Sequence, residues 1–275
     1  DLKRIFGEII PLFKDKHLSI YANGHNGGFI RYTNCEQDVS GVRPPFYARY
    51  DLLDSPYYLE SDYRRRFGYI YVSTFSYGIL ETLESKYHNI RNPERQLDTL
   101  ECTNGLIIDL RDNTGGSLLS LYNFVASFYF EKKTLLFQQD KTGYGHNDFS
   151  TKTPVIIEGK GYVDDGVPIV ILTSIYTYSA ANYAVYMLKD IRKCTVIGEA
   201  TSGGGGGRLD VILPNGWKLS YPCNKTFSAS GKNMEYPFEP DIYVKNYPAV
   251  VYGEGLEDTI FMKALESLEN LQRNK

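Results

Sequence analysis

The sequence has no run of apolar residues long enough to span a membrane, and no signal peptide is visible in it. It also lacks a large excess of either charge, since 30 basic and 33 acidic residues give a formal net charge of −3. That balance argues against a basic surface for nucleic acid. We therefore expect neither a membrane span nor a nucleic-acid partner. Because the sequence starts at Asp1 within a helical pattern, the missing signal says little about the compartment.

Cysteine is sparse and scattered, with no C-x-x-C pair and no zinc-site spacing. The four residues allow three disulfide pairings or four free thiols: Cys35, Cys102, Cys194 and Cys223. None of them starts a helix or lies in a glycine-rich context, which disfavours a cysteine nucleophile. The G-x-G-x-x-G and P-loop patterns are absent as well, which disfavours a nucleotide site.

From residue 67 onward, segments with the pattern of buried strands alternate with segments of helical period. Strands are predicted in GYIYVSTF, GLIIDL, TLLFQQ, VPIVILTS and KCTVIGE, and helices in NPERQLDTLECTN, SLLSLYNFVASFYF and SAANYAVYMLKD. The alternation predicts an α/β core with a mixed, largely parallel sheet. Two of the strands, GLIIDL and VPIVILTS, are continuous apolar runs, which is typical of central strands covered on both faces.

Two regions are predicted along the chain. Residues 1–66 combine a helical pattern, interrupted at Pro11, with the alternating strand HLSIYANG, and they are expected to form a small N-terminal α/β segment. Residues 67–275 are the predicted core domain. The core includes a hairpin that turns at Pro214-Asn215-Gly216 and a final amphipathic helix over 256–272.

Ligands of parallel sheets bind beyond the carboxyl ends of the strands. Two loops leave such ends here, RDNTGG at 111–116 and TSIYTYS at 173–179. The paired glycines of the first loop suit either a tight turn or a close approach to a ligand. In the second loop, Ser179 stands where a buried strand gives way to a helix. Such a serine is a candidate helix cap and also a candidate nucleophile.

As a nucleophile, Ser179 would lie beside unpaired backbone amides. The N–H of Ala180, with that of Gly115 or Gly116, would form an oxyanion hole, and each donor of such a site typically contributes about 3 to 4 kcal/mol. Ser174 and Thr177, which also carry hydroxyl groups, could cap the helix instead of Ser179. The chain has no G-x-S-x-G motif, so the nucleophile of an ordinary α/β-hydrolase is not expected.

A catalytic serine needs a base, and the sequence offers four histidines: His17, His25, His88 and His146. His88 lies among charged residues and His25 in a flexible turn. His146, in GYGHND, could line a pocket. His17 lies where a helix gives way to a strand, which is a rigid place for a base. Position alone does not rank His17 above His146.

Four segments, in this order, resemble the C-terminal processing (tail-specific) serine peptidases: GLIIDLRDNTGG, PIVILTSIYTYSAANYA, VIGEATSGGGGG and EPDIYV. That family includes the tricorn protease core and the retinoid-binding protein of the interphotoreceptor matrix. The resemblance covers about residues 67–245, with FKDKHLSI as an upstream match. It implies a crotonase/Clp-protease-like core.

The resemblance also assigns roles. The family's small-residue motif aligns with SAAN, so Ser179 takes the place of the nucleophile. The classical branch has a lysine base after a glycine–glutamate pair, and that place falls on Gly204 here. The chain therefore looks like the tricorn-like branch, in which an upstream histidine is the base, and KDKHLSI marks His17. A late glutamate completes that branch's tetrad; Glu235 fits best and Glu239 is its rival.

Peptide-bond hydrolysis through an acyl-enzyme is implied, with peptide or protein substrates and without a metal or organic cofactor. Tricorn-like enzymes carry a polar orienting residue before the histidine, and Lys16 departs from that pattern. About fifty residues separate His17 from GYIYVSTF, too few for a PDZ module. Substrate selection is then expected from residues 18–66 and the KTGYGHNDFSTKT loop, where His146 is a substrate-binding candidate. Family habit implies a periplasmic, cell-envelope or secreted protein that can form a homo-oligomer.

Two other functions stay open from the sequence. One is a ligand- or peptide-binding protein without catalysis on the same scaffold, because superfamily members that bind apolar ligands exist and the fold alone does not entail proteolysis. The other is an acyl-CoA-type enzyme that keeps the oxyanion hole without a serine nucleophile. The position of Ser179 argues against this second alternative.

Overall fold

The computed structural model describes residues 2–13, 17–23, 29–33, 49–53, 67–72, 74–75, 104–245 and 258–273. Its helices are α1 (Leu2–Ile9), α2 (Leu118–Ala126), α3 (Ala180–Ile191) and α4 (Thr259–Arg273), with a 3₁₀ turn over Ile10–Leu12. None of the helices in these ranges is long and apolar enough to cross a membrane.

Thirteen strands are present in the described part of the chain. They are β1 (Ser19–Asn23), β2 (Phe29–Thr33), β3 (Arg49–Leu53), β4 (Phe67–Tyr71), β5 (Leu106–Asp109), β6 (Lys133–Asp140), β7 (Thr153–Ile157), β8 (Ile169–Thr173), β9 (Cys194–Gly198), β10 (Arg208–Ile212), β11 (Lys218–Pro222), β12 (Asn224–Ser228) and β13 (Ile242–Tyr243).

The main sheet has six described strands in the order β13-β9-β8-β5-β4-β3. Neighbouring strands from β13 to β4 run parallel, and β3 is antiparallel to β4 at one edge. In sequence, α2 lies between β5 and β8, and α3 lies between β8 and β9, as crossovers between parallel strands require. The predicted α/β class with a mixed, largely parallel sheet is confirmed.

The main sheet separates two apolar clusters, because successive side chains of a strand face opposite sides. On one side, Leu106 and Ile108 of β5 pack in the same cluster as α2 and α3. On the other side, Ile107 packs with Leu265 and Leu268 of α4. Burial on both faces explains why β5 and β8 are apolar up to their last residues, Asp109 and Thr173.

The N-terminal strands share sheets with later parts of the chain. A second sheet has the order β10-β11-β1-β2, in which β1 is antiparallel to both of its neighbours. β10 and β11 form the hairpin predicted at Pro214-Asn215-Gly216. A third sheet, of order β12-β6-β7, is antiparallel. The division of the chain at residues 66 and 67 stays a prediction.

Two helix predictions need comment. The predicted break at Pro11 is present, since α1 ends at Ile9 and a 3₁₀ turn follows. The helix expected to reach Phe130 ends at Ala126, because the carbonyls of Ala126 and Ser127 accept hydrogen bonds from the amides of Lys160 and Val163 instead of continuing the helix. The helix predicted in NPERQLDTLECTN lies almost entirely outside the described residues.

Candidate active site

The loops after β5, β8 and β9 lie side by side, because these strands are neighbours in the parallel sheet. The carbonyl of Asn113, after β5, accepts a 3.0 Å hydrogen bond from Tyr178 N–H of the β8 loop. The carbonyl of Gly203, after β9, accepts a 2.9 Å hydrogen bond from Ser179 N–H. The first two loops were predicted to meet at a site. The loop after β9 is a third part of the site, because its Gly203 carbonyl holds the backbone N–H of Ser179.

Ser179 directly precedes α3, yet its side chain makes no capping hydrogen bond. Its backbone has φ 56° and ψ −123°, and among the described residues it is the one non-glycine residue with positive φ. The hydroxyl of Thr177 is used within the loop, where it accepts a hydrogen bond from Ser174 N–H and donates one to Leu110 O. The interpretation of Ser179 as a helix cap is therefore wrong.

The backbone of Ser179 lies outside the regions that residues with a β-carbon favour, and such conformations typically cost about 1–3 kcal/mol. Glycine adopts them freely, so Ser179→Gly is expected to be more stable than Ser179→Ala by about 1 kcal/mol. Both variants lack the hydroxyl, so the difference isolates the β-carbon. Urea denaturation at equilibrium measures it, and an alanine variant as stable as the glycine variant would contradict the strain.

His17 lies beside the Ser179 hydroxyl although 162 positions separate them in the chain. The distance from His17 Nε2 to Ser179 Oγ is 3.1 Å, which is within hydrogen-bonding range. β1 starts two residues later and pairs with β11, with Ser19 opposite Ser220. The alternate residues Leu18 and Ile20 line an apolar cavity of about 320 Å³ beside α1. The pairing of β1 with β11 holds the chain directly after the histidine.

The amides next to Ser179 differ in availability. Gly115 packs against the serine, since a β-carbon on Gly115 would come within 2.8 Å of Ser179 Cβ and 2.9 Å of Ala180 N. However, Gly115 N–H donates a 2.8 Å hydrogen bond to Asn113 Oδ1. Because the N–H of Gly115 already has an acceptor, Gly116 is the more available of the two predicted oxyanion donors.

Gly116 has its amide turned differently. It forms a parallel bridge with Phe75, in which Gly115 O accepts from Phe75 N–H at 2.8 Å and Ser117 N–H donates to Phe75 O at 3.1 Å. In such a bridge the N–H of the central residue points away from the partner. Gly116 is exposed and Ala180 is the first residue of α3, where amides lack helical acceptors. These two amides are the candidate donors.

Asn113 organises this region and was not singled out from the sequence. It is fully buried, and its Nδ2 donates a 2.9 Å hydrogen bond to Val72 O, directly after the neighbouring strand β4. Its Oδ1 holds Gly115 N–H and its carbonyl holds Tyr178 N–H. Through its side chain and its carbonyl, this one residue therefore links the segment directly after β4, the glycine loop and the residue before Ser179. Its place within RDNTGG was the available signal.

The glycine-rich loop after β9 passes between two segments at very close range. A β-carbon on Gly204 would lie 2.1 Å from Tyr178 Cε2, and one on Gly205 would lie 2.3 Å from Glu235 Cγ. Gly204 N–H also donates a 3.1 Å hydrogen bond to Glu235 O. The space beside Gly204 is thus filled by the ring of Tyr178. No side chain fits there without displacing that ring.

Glu235 is half-buried against this loop, whereas its rival Glu239 is exposed. The segment before Glu235 is held by Asn182, the last residue of SAAN. Asn182 is fully buried, with Nδ2 donating to Met234 O at 2.8 Å and Oδ1 accepting from Thr201 Oγ1 at 2.6 Å. The asparagine therefore fixes the stretch that carries Glu235.

Tyr183 supports the glycine loop from below. Its hydroxyl oxygen accepts a 2.7 Å hydrogen bond from Gly206 N–H. Burial raises the pKa of Tyr183 to about 12, so the phenol stays protonated at neutral pH. At the start of the β5 loop, Asp109 is held by Arg111 Nη2 at 2.6 Å and by the Tyr69 hydroxyl at 2.9 Å. These buried bonds make the base of the site rigid.

The remaining predicted residues lie elsewhere or outside the described ranges. His146 is exposed in the loop between β6 and β7, and its role in substrate binding stays a prediction. His25, His88, Cys35 and Cys102 lie outside the described residues. Cys194 and Cys223 are free thiols, and burial raises the pKa of Cys194 to about 12, which keeps it in the unreactive thiol form.

Comparison with known proteins points to one family. The model of peptidase family S41 matches residues 66–244. Carboxy-terminal processing protease CtpB of Bacillus subtilis is 26% identical over 179 residues, which are 65% of this chain and 34% of that protein. Carboxyl-terminal-processing peptidase 2 of Arabidopsis thaliana, named as chloroplastic, is 26% identical over 140 residues, 51% of this chain and 24% of that protein. The matched region thus spans 34% and 24% of the length of these two curated relatives.

Solved structures agree on the fold. A peptidase candidate from Parabacteroides merdae superimposes with a TM-score of 0.73 and 25% identity, covering 97% of this chain and 82% of its own. The photosystem II D1 C-terminal processing protease gives a TM-score of 0.51 at 18% identity, covering 84% and 56%. The predicted Clp-protease-like core of the C-terminal processing peptidases is confirmed. Since the family model matches well over half of the sequence, this chain belongs to peptidase family S41.

Proposed function

We propose that this chain is a serine peptidase that cleaves peptide bonds through an acyl-enzyme, with Ser179 as nucleophile and His17 as base. The observation that carries the proposal is the 3.1 Å separation between His17 Nε2 and Ser179 Oγ. A base must lie within hydrogen-bonding reach of the proton that it takes. The unusual backbone of Ser179 gives further support, because strained residues concentrate at functional sites.

In the proposed acylation step, Ser179 Oγ attacks the carbonyl carbon of the peptide while its proton passes to His17 Nε2. The amides of Ala180 and Gly116 stabilise the negative charge that develops on the carbonyl oxygen. His17 then gives the proton to the leaving amine, and the acyl group stays on Ser179 as an ester. Water, deprotonated by His17, hydrolyses this ester and restores the serine.

Glu235 is proposed as the acid that orients His17 and stabilises its protonated form. Its half-buried side chain packs on Gly205, next to Gly204, which contacts the Tyr178 ring. Glu239 is exposed and four residues further along, which makes it the weaker candidate. A carboxylate in this role keeps the imidazole in the correct tautomer and does not itself take the proton.

Substrates are proposed to be peptides or proteins, as the names of the processing relatives suggest. Selection among them is assigned to residues 18–66 and to the loop that contains His146. The periplasm, the cell envelope or the cell exterior is the proposed compartment, on the habit of the family.

Reaction with a fluorophosphonate tests the proposal, since such reagents phosphonylate activated serines. We expect one adduct per chain, located on Ser179 by peptide mass mapping. The labelled protein should also lose the ability to hydrolyse a library of unstructured peptides. A properly folded protein that stays unlabelled, cleaves no peptide and copurifies with an apolar ligand would contradict the proposal and favour a binding protein on the same scaffold.

A further inference from the structure

The ring of Tyr178 lies between His17 and the glycine-rich loop. Its centroid is 5.1 Å from that of the His17 imidazole, with 52° between the ring planes. Ring pairs at this distance and tilt are favourable contacts. Tyr178 is half-buried, as His17 is, so this contact forms one wall of the open site.

On its other side, the Tyr178 ring packs against the backbone of Gly204. A β-carbon at Gly204 would come within 2.1 Å of Cε2, 2.5 Å of Cζ and 2.8 Å of Cδ2 of the ring. Contacts this short do not exist, so the ring takes its position because residue 204 has no side chain. Gly204 also has φ +91°, a conformation that side-chain-bearing residues rarely adopt.

The backbone of Tyr178 is held as firmly as its ring. Its N–H donates to Asn113 O at 3.0 Å, and its carbonyl accepts from Ala181 N–H at 3.0 Å. The same carbonyl would be 2.9 Å from a β-carbon on Gly115, so the strand-end loops leave it no room to shift. The Tyr178 ring, attached to this hydrogen-bonded backbone, therefore lies between Gly204 on one side and the His17 imidazole on the other.

We propose that Tyr178 is a positioning residue that, supported by Gly204, holds the His17 imidazole with Nε2 directed at Ser179 Oγ. This inference rests on the proposed function of Ser179 and His17. The imidazole comes from a distant part of the chain, and its hydrogen bond to the serine fixes one atom of the ring. The tilted contact with the Tyr178 ring restricts the orientation of the imidazole plane, which the bond to the serine alone does not. A misplacement of about 1 Å at a catalytic group can cost about 10²-fold in rate.

The space beside residue 204 can hold either the Tyr178 ring or a side chain on residue 204, but not both. A side chain at position 204, a lysine included, would need the volume that the Tyr178 ring occupies. The aromatic ring before the nucleophile and the bare glycine in the β9 loop therefore work as a pair. The coupling between the two positions is directly measurable, because residues in contact show non-additive effects.

The test is a double-mutant cycle of Tyr178→Ala and Gly204→Ala, read as kcat and KM for peptide hydrolysis. We expect Tyr178→Ala to lower kcat by about 10- to 100-fold while KM changes by less than about threefold. Gly204→Ala should cause a similar loss in the presence of Tyr178, because the new methyl group pushes the ring away. In the Tyr178→Ala background the same glycine substitution should cost clearly less than it does in the presence of Tyr178, because the backbone strain at φ +91° remains but no ring is left to displace.

Tyr178→Phe keeps the ring without the hydroxyl, and it should retain kcat within about threefold of the wild type. Tyr178→Leu, which keeps apolar bulk without a flat ring, serves if the alanine variant does not fold, and it should lose kcat as the alanine does. A folded Tyr178→Ala or Tyr178→Leu variant with wild-type kcat would overturn the inference, as would an effect of Gly204→Ala that is equal in both backgrounds. A wild type that neither hydrolyses peptides nor reacts with a fluorophosphonate would instead refute the proposed function itself.

Discussion

Replacement of Ser179 by alanine is expected to lower kcat for peptide hydrolysis by at least about 10⁴-fold, because the variant has no oxygen to form the acyl-enzyme. The residual rate should be no more than about 10³- to 10⁴-fold above that in water, which is what binding and an oxyanion hole provide alone. Initial rates on a fluorogenic peptide identified from the library measure the loss.

Ser230→Ala is the matched control for this result. Ser230 is an exposed hydroxyl in a turn, where it contacts Ser228 and the Asp190 carboxylate through its own side chain and amide. Its replacement should leave kcat unchanged. An active Ser179→Ala protein, with kcat within about tenfold of the wild type, would show that another group is the nucleophile.

Replacement of His17 by alanine is expected to lower kcat by about 10⁴-fold or more, because Ser179 would lose the base that lies 3.1 Å from its hydroxyl. Removal of His17 in addition to Ser179 should cost almost nothing further, since catalytic groups that act as a unit show strongly non-additive effects. Initial rates for the two single variants and the double variant measure this.

His146→Ala separates the role of His17 from a general effect of losing a histidine. His146 is exposed in the loop between β6 and β7, so its replacement should leave kcat intact and, if it binds substrate, change only KM. Glu235→Gln should lower kcat and Glu239→Gln should not, which decides between the two glutamates. A His17→Ala variant that keeps wild-type kcat, or losses for His17 and Ser179 that multiply, would remove His17 from the mechanism.

Much of the architecture could be predicted because its signals are local. The apolar runs of β5 and β8 are long enough to indicate strands buried on both faces, and the alternation with helical segments indicates a parallel sheet. Parallel sheets place their functional loops at the carboxyl ends of the strands, which led to Ser179. These inferences need only the period of the sequence and the handedness of the connections.

The relation between Ser179 and His17 could not be predicted from the residues alone. It depends on how β1 pairs with β11, and no local pattern fixes the pairing of strands about 200 residues apart. The pairing of His17 with Ser179 was predicted instead from the resemblance to a known family. Likewise, the bond from Gly115 N–H to Asn113 depends on one side-chain direction, so sequence reasoning offered Gly115 and Gly116 as equals.

Tyr178 was overlooked for a different reason. An aromatic residue in a loop can have many roles. The role proposed for Tyr178 depends on the contact of its ring with Gly204, which is 26 positions away in the chain. The run of five glycines was visible in the sequence, but a run of glycines does not say which neighbour approaches each of them.

The most direct test of the account is to trap the acyl-enzyme. An activated peptide ester is mixed with the protein, the reaction is quenched with acid within its first turnover, and the intact mass and peptide map are recorded. The account predicts a mass increase equal to one acyl group, carried by Ser179 in the wild type and missing in Ser179→Ala. Rapid hydrolysis without any adduct, or an adduct on another residue, would contradict it.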